Sequence, residues 1–120
     1  MKTILVVDDN EAIRLLYEEE LTEAGYRVVL AKDGEEALEK VQETPPDLIT
    51  LDVKMPGMDG IDLLRKIREV HRDLPIIIST AYSEYKQDFS VWASDAYITK
   101  SSDLTELKAK IAELLASKSH

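Results

Sequence analysis

The stretch Leu48-Ile49-Thr50-Leu51-Asp52-Val53-Lys54-Met55-Pro56-Gly57-Met58-Asp59-Gly60 decides the architecture. An apolar run of strand length ends in Asp52, and Pro56, Gly57 and Gly60 then punctuate the chain before a helix-period segment begins. The same plan recurs on either side. Ile4 to Val7 ends in Asp8-Asp9, Ile76 to Ile78 ends in Ser79-Thr80-Ala81, and a shorter run ends in Tyr97-Ile98-Thr99-Lys100. Strand-length runs alternating with helical segments predict βα units and a parallel α/β sheet. In an open sheet of that kind the carboxyl ends of the strands share one edge, where ligands bind. Asp8, Asp9, Asp52, Thr80 and Lys100 are therefore expected to meet there.

Outward from that stretch, strands are expected over about Thr3–Val7, Arg27–Ala31, Asp47–Leu51, from Ile76 onward, and about Ala96–Ile98. A first helix is expected from near Asn10 to about Ala24, closed by Gly25 as a left-handed cap. Its Ile13, Leu16, Tyr17, Leu21 and Ala24 recur on one face, while Glu18, Glu19 and Glu23 are expected to face water. A second helix spans roughly Glu35–Gln42, and Pro45-Pro46 blocks its extension. A third follows Gly60 and ends near Val70 or His71. The segment 83–94 fits neither period cleanly, so a short or irregular fourth helix is expected there, with Phe89 and Trp92 as packing residues. The last helix runs from about Asp103 to Leu115, opened by an Asp103/Glu106 capping box. Its buried stripe is Leu104, Leu107, Ile111, Leu114 and Leu115.

Composition narrows the function classes. The 120 residues suit one domain spanning the chain, with 44% hydrophobic and 32% charged residues. There is no cysteine, which rules out disulfides and thiolate metal sites. The net charge of −9, without a basic stripe, argues against nucleic acid as a partner. No apolar stretch reaches the ~20 residues of a membrane span, and Met1-Lys2 leads into a strand rather than a signal peptide. A cytoplasmic location is expected, with no membrane partner. His120 carries no functional weight, and His71 is read as a helix-end residue favourable to the dipole.

Three carboxylates gathered at one sheet edge repel one another, and a cation relieves that repulsion. An all-oxygen, hard-ligand cluster suits Mg²⁺, which keeps waters that a phosphate can replace. A carboxylate beside the metal and open to solvent is then a nucleophile toward phosphorus, giving an acyl phosphate. Each residue also has a plainer reading. Asp8 and Asp9 could cap a helix, Thr80 could be a strand residue, Lys100 a surface lysine and Tyr97 a core aromatic. Five polar groups recurring together at strand ends favour the site.

The motifs Val6-Val7-Asp8-Asp9-Asn10, Leu51 to Gly60, Ser79-Thr80-Ala81 and Tyr97-Ile98-Thr99-Lys100 together resemble the receiver domains of two-component response regulators, over essentially the whole chain. The resemblance implies a flavodoxin-like, doubly wound five-stranded parallel sheet of order 2-1-3-4-5. It also implies a role for each residue. Asp52 is the phosphoacceptor. Asp9 binds Mg²⁺ directly and Asp8 mostly through water, with the Lys54 backbone carbonyl as a further ligand. Thr80 and Lys100 meet phosphoryl oxygens, Tyr97 is an aromatic switch following Thr80, and the small Ala81 leaves access for a histidine. The expected phosphodonor is a sensor histidine kinase or a histidine phosphotransfer protein. Docking is expected on Asn10, Ile13, Arg14 and Ser101. Lys54 and Tyr82, a pairing similar to that of sporulation phosphorelay intermediates, are expected to slow hydrolysis and to favour a relay.

The chain departs from the family pattern in one region. Ser101 stands where the family usually has proline, Ala93-Ser94 where it usually has glycine-alanine, and 80–100 is short by about half a helical turn. A cis bond before serine costs ~2.5–4 kcal/mol, so a trans Lys100–Ser101 bond is expected. A stand-alone receiver, with no output domain after these motifs, is expected. Two other classes share the carboxylates. A Mg²⁺-dependent phosphatase would want an aspartate where Lys54 stands, and a binding-only pseudo-receiver would lack a site residue.

Overall fold

The computed structural model describes residues 1–52, 60–80, 96–99 and 104–117. These residues include five strands: β1 (Thr3–Val7), β2 (Arg27–Ala31), β3 (Leu48–Leu51), β4 (Ile76–Thr80) and β5 (Ala96–Thr99). Among the described residues four helices accompany them: α1 (Glu11–Glu23), α2 (Gly34–Glu43), α3 (Gly60–Val70) and α4 (Thr105–Ser117). The strands form one sheet of order β2-β1-β3-β4-β5, with every pairing parallel. This is the doubly wound, flavodoxin-like order that the resemblance implies. The segment 83–94 and the Lys100–Ser101 bond lie outside the described residues.

Strand alternation sorts the core into two layers. Leu5, Val7, Ile49, Leu51, Ile76 and Ile78 face Ala37 and Val41 of α2 and Leu63, Leu64 and Ile67 of α3. Ile4, Val6, Leu48, Ile77 and Ile98 face Tyr17 and Leu21 of α1, Leu104 just before α4, and Leu107, Ile111 and Leu115 of α4. Burial on both faces explains why β1, β3 and β4 read as unbroken apolar runs, whereas β2 at the edge is only half-buried along most of its length. Each buried Leu or Ile contributes roughly 1.5–3 kcal/mol relative to exposure.

The turns follow from identifiable residues. The Asn10 side chain accepts from the Ile13 amide at 3.2 Å and caps α1. At its other end Gly25 takes φ 101°, and the Tyr26 and Gly25 amides donate to the Leu21 and Thr22 carbonyls, which is a Schellman closure. Ala24 therefore caps the helix and is exposed rather than on its buried face, and Glu18 is half-buried. Asp33 caps α2 by accepting from the Glu36 amide, while the Glu36 carboxylate accepts from the Lys32 amide. α2 accordingly begins at Gly34, one residue earlier than its apolar pattern indicates. Asp47 precedes β3 instead of opening it, and its carboxylate accepts from the Thr3 amide at 2.7 Å. α4 begins at Thr105, and Asp103 lies outside the described residues. Pattern alone does not separate a cap from a first turn.

Candidate functional site

Register brings the site together. Val7 is paired with Ala31 on one side and with Leu51 on the other, so β1 and β3 end level with each other. The ladder continues one residue further. The Asp8 amide donates to the Ala31 carbonyl at 3.1 Å, and the Asp52 amide donates to the Val7 carbonyl at 3.0 Å. These bonds fix the backbone of both aspartates just beyond the sheet, at the point where strand order reverses about β1 and β3.

Asp8, Asp9 and Asp52 each offer a carboxylate oxygen, and these oxygens lie within 4.8 Å of one another. Asp8 and Asp52 are only 2% and 5% exposed, whereas Asp9 is exposed. Two nearly buried carboxylates thus meet a third on the solvent side. Such a set of hard oxygen donors fits a small divalent cation that retains water ligands. The β1–α1 turn is braced from α1: the Asn10 amide donates to Asp8 Oδ1 at 2.9 Å, and Arg14 Nη1 donates to the Asp8 carbonyl at 2.7 Å.

Thr80 closes β4, with Leu51 paired to Ile78 and Thr80 to Thr99. The backbones of Thr80 and Tyr97 belong to β4 and β5, next to the carboxylate edge. Their side chains, and Lys54, Ala81, Tyr82, Lys100 and Ser101 altogether, lie outside what is described. Among the docking candidates, Asn10 is exposed, Arg14 is half-buried, and Ile13 packs in part against the α1–α4 core. Leu15, half-exposed at 52%, falls outside the apolar stripe.

Sequence reasoning missed two contacts. Arg14 stands six residues after Asp8, a spacing with no periodic meaning across a turn, so its bond to the Asp8 carbonyl has no pattern to announce it. The Tyr17 and Ser79 hydroxyls share a buried hydrogen bond of 2.6 Å. Tyr17 occupies a regular stripe position and Ser79 ends a strand, so each is accounted for separately by its own element.

The likeness to known proteins agrees with this geometry. Residues 4–112 match the response regulator receiver domain. The Bacillus subtilis alkaline phosphatase synthesis transcriptional regulatory protein PhoP is 40% identical over 95% of this chain, which spans 48% of that protein's length. The sporulation initiation phosphotransferase F of Bacillus subtilis is 35% identical over 98% of this chain and 96% of its own. The response regulator TrrA of Thermotoga maritima, in complex with Mg(2+)-BeF, is 48% identical with a TM-score of 0.92, covering 95% of this chain and 99% of that one. TrrA in complex with the histidine kinase ThkA superposes with a TM-score of 0.90 at 49% identity, covering 96% and 99%. From its sheet order, its strand-end aspartates and these likenesses, the chain belongs to the response regulator receiver domains, the phosphoacceptor modules of two-component signalling.

Proposed function

We propose that Asp52 is the phosphoacceptor of this receiver, which occupies residues 1–120 as one unit and takes its phosphoryl group from a histidine kinase or histidine phosphotransfer protein. The observation that carries the assignment is the trio of carboxylate oxygens within 4.8 Å at the reversal point of the sheet. Within it, Asp52 alone ends the central strand β3. An Asp52 oxygen forms a bond to phosphorus as the phosphorus–nitrogen bond of the donor phosphohistidine breaks, and the imidazole departs with that electron pair.

Asp8, Asp9, Asp52 and the Lys54 carbonyl would hold Mg²⁺, in keeping with the Mg(2+)-BeF complex of TrrA. When bound, the ion neutralises the cluster and the charge on the transferring oxygens. Thr80 and Lys100 serve the remaining phosphoryl oxygens, and Tyr97 follows Thr80 as a switch. Asn10, Ile13, Arg14 and Ser101 receive the donor, and the kinase-bound structure of TrrA supports a histidine kinase in that role. The chain signals by relaying the group or by binding a partner when phosphorylated, rather than by turning over a substrate. Similarity over nearly the full length of the sporulation phosphotransferase favours the relay. No described helix is long and apolar enough to cross a membrane, and the cytoplasm is the compartment in which we place the protein.

Incubation with Mg²⁺ and acetyl phosphate, followed by intact mass, tests this reading. The wild type is expected to gain one phosphoryl group that decays slowly, and Asp52→Asn none. Sustained phosphate release with turnover would mean a phosphatase, no mass change a pseudo-receiver, and full labelling of Asp52→Asn another acceptor.

A further inference from the structure

The two core layers are apolar almost throughout their described residues, yet a side-chain hydrogen bond crosses from a helix to the sheet inside the α1–α4 layer. Tyr17 is 3% exposed and Ser79 is 2% exposed, and their hydroxyl oxygens are 2.6 Å apart. The surroundings are Ile4, Val6, Leu21, Leu48, Ile77 and Ile98, where phenylalanine and alanine would satisfy packing without any polar group. A hydroxyl pair in such surroundings fixes relative position, because slippage of either element would leave a buried polar group without its partner.

The two ends of this bond have consequential neighbours. Ser79 immediately precedes Thr80, the last residue of β4. Tyr17 lies in α1, whose first turn is tied to the acidic cluster through the Asn10 amide on Asp8 Oδ1 and Arg14 on the Asp8 carbonyl. α1 is therefore bonded at one end to Asp8 and farther along to the strand that carries Thr80. Sheet pairing joins the same two places only through β3.

We propose that the Tyr17–Ser79 hydrogen bond is a positioning link that sets the end of β4, and with it Thr80, relative to the acidic cluster for phosphoryl transfer. This rests on the reading of Asp52 and Thr80 above. Tyr17 and Ser79 touch neither phosphate nor metal. They act through Thr80, and they give a donor pressing on α1 a direct mechanical connection to the strand.

The test uses the full chain and its Tyr17→Phe, Ser79→Ala and doubly substituted variants. Each is assayed for Mg²⁺ affinity by calorimetry, phosphorylation rate with acetyl phosphate, thermal stability, and amide hydrogen exchange along β4. The single variants are expected to lose stability, keep Mg²⁺ affinity within twofold, and phosphorylate about 3–10-fold more slowly, a change of roughly 0.7–1.4 kcal/mol in barrier. The double variant separates positioning from mere stability. With both hydroxyls gone it regains stability, because the stranded Ser79 hydroxyl is removed, but it stays slow because the link is absent. Recovery of the rate along with stability would overturn the proposal. Hydrogen exchange supplies a readout that does not depend on labelling. Acceleration confined to Ser79 and Thr80 supports the link, and equal acceleration across all five strands overturns it. A wild type that fails to phosphorylate counts against the Asp52 reading, and the exchange pattern then still decides whether Tyr17 holds the end of β4.

Discussion

Replacing Asp9 by asparagine should stabilise the metal-free protein while weakening its response to Mg²⁺. Asp9 is the exposed member of the carboxylate trio, so the substitution changes charge with little loss of packing. Two unit charges at the 4.8 Å bound repel by about 0.9 kcal/mol in water and about 3.5 kcal/mol at an effective dielectric of 20. Asp9 faces two such neighbours from the solvent side, where the lower figure governs, so relief of about 2 kcal/mol is expected at low salt. For a chain of this size that raises Tm by roughly 6–10 °C in EDTA. Physiological salt, with a Debye length of about 8 Å, trims the gain without abolishing it. Saturating Mg²⁺ then reverses the order, because ligand at about 100 times Kd adds ~2.7 kcal/mol to the wild type and far less to a variant short of one ligand. Thermal melts in EDTA and in a Mg²⁺ series, at two salt concentrations, give the answer. An Asp9→Asn protein that melts at or below the wild-type temperature in EDTA at low salt would refute the reasoning. The three carboxylates would then not strain the metal-free fold.

Other outcomes follow from the same structure. Ile77→Ala, emptying a fully buried position between α1 and α4, should cost about 2–5 kcal/mol in urea unfolding. Lys108→Ala, which removes the 2.7 Å ion pair with Glu20, should cost less than about 1 kcal/mol, since both side chains are about a third exposed. Arg14→Ala should slow transfer from a cognate histidine donor more than labelling by acetyl phosphate; equal slowing would limit Arg14 to bracing the Asp8 carbonyl. Lys54→Ala with Tyr82→Ala should shorten the lifetime of phosphorylated Asp52 by opening the line of water attack, and an unchanged lifetime would leave both residues as ordinary surface.

Much of the fold can be read along the chain because its signals are local. Apolar runs such as Ile4–Val7 and Leu48–Leu51 are long enough to be strands and too short to be helices, and Gly25 stops α1 where only a left-handed residue can. The carboxylates could be assigned to one edge because parallel strands all end there. Their inequality could not be foreseen. Asp8 and Asp9 are adjacent in sequence, yet one is buried and the other exposed, since the ladder bond to Ala31 holds Asp8 in the sheet plane while the chain turns away at Asp9. Caps such as Asp33 and the exposure of Ala24 were likewise settled by where backbone amides found partners. The Tyr17–Ser79 bond lies furthest from the reach of pattern. Its two hydroxyls are 62 positions apart, and periodicity reports only which face of its own element a residue occupies. Which residue it meets across the layer depends on strand register and helix docking, and those exist only once the sheet has assembled.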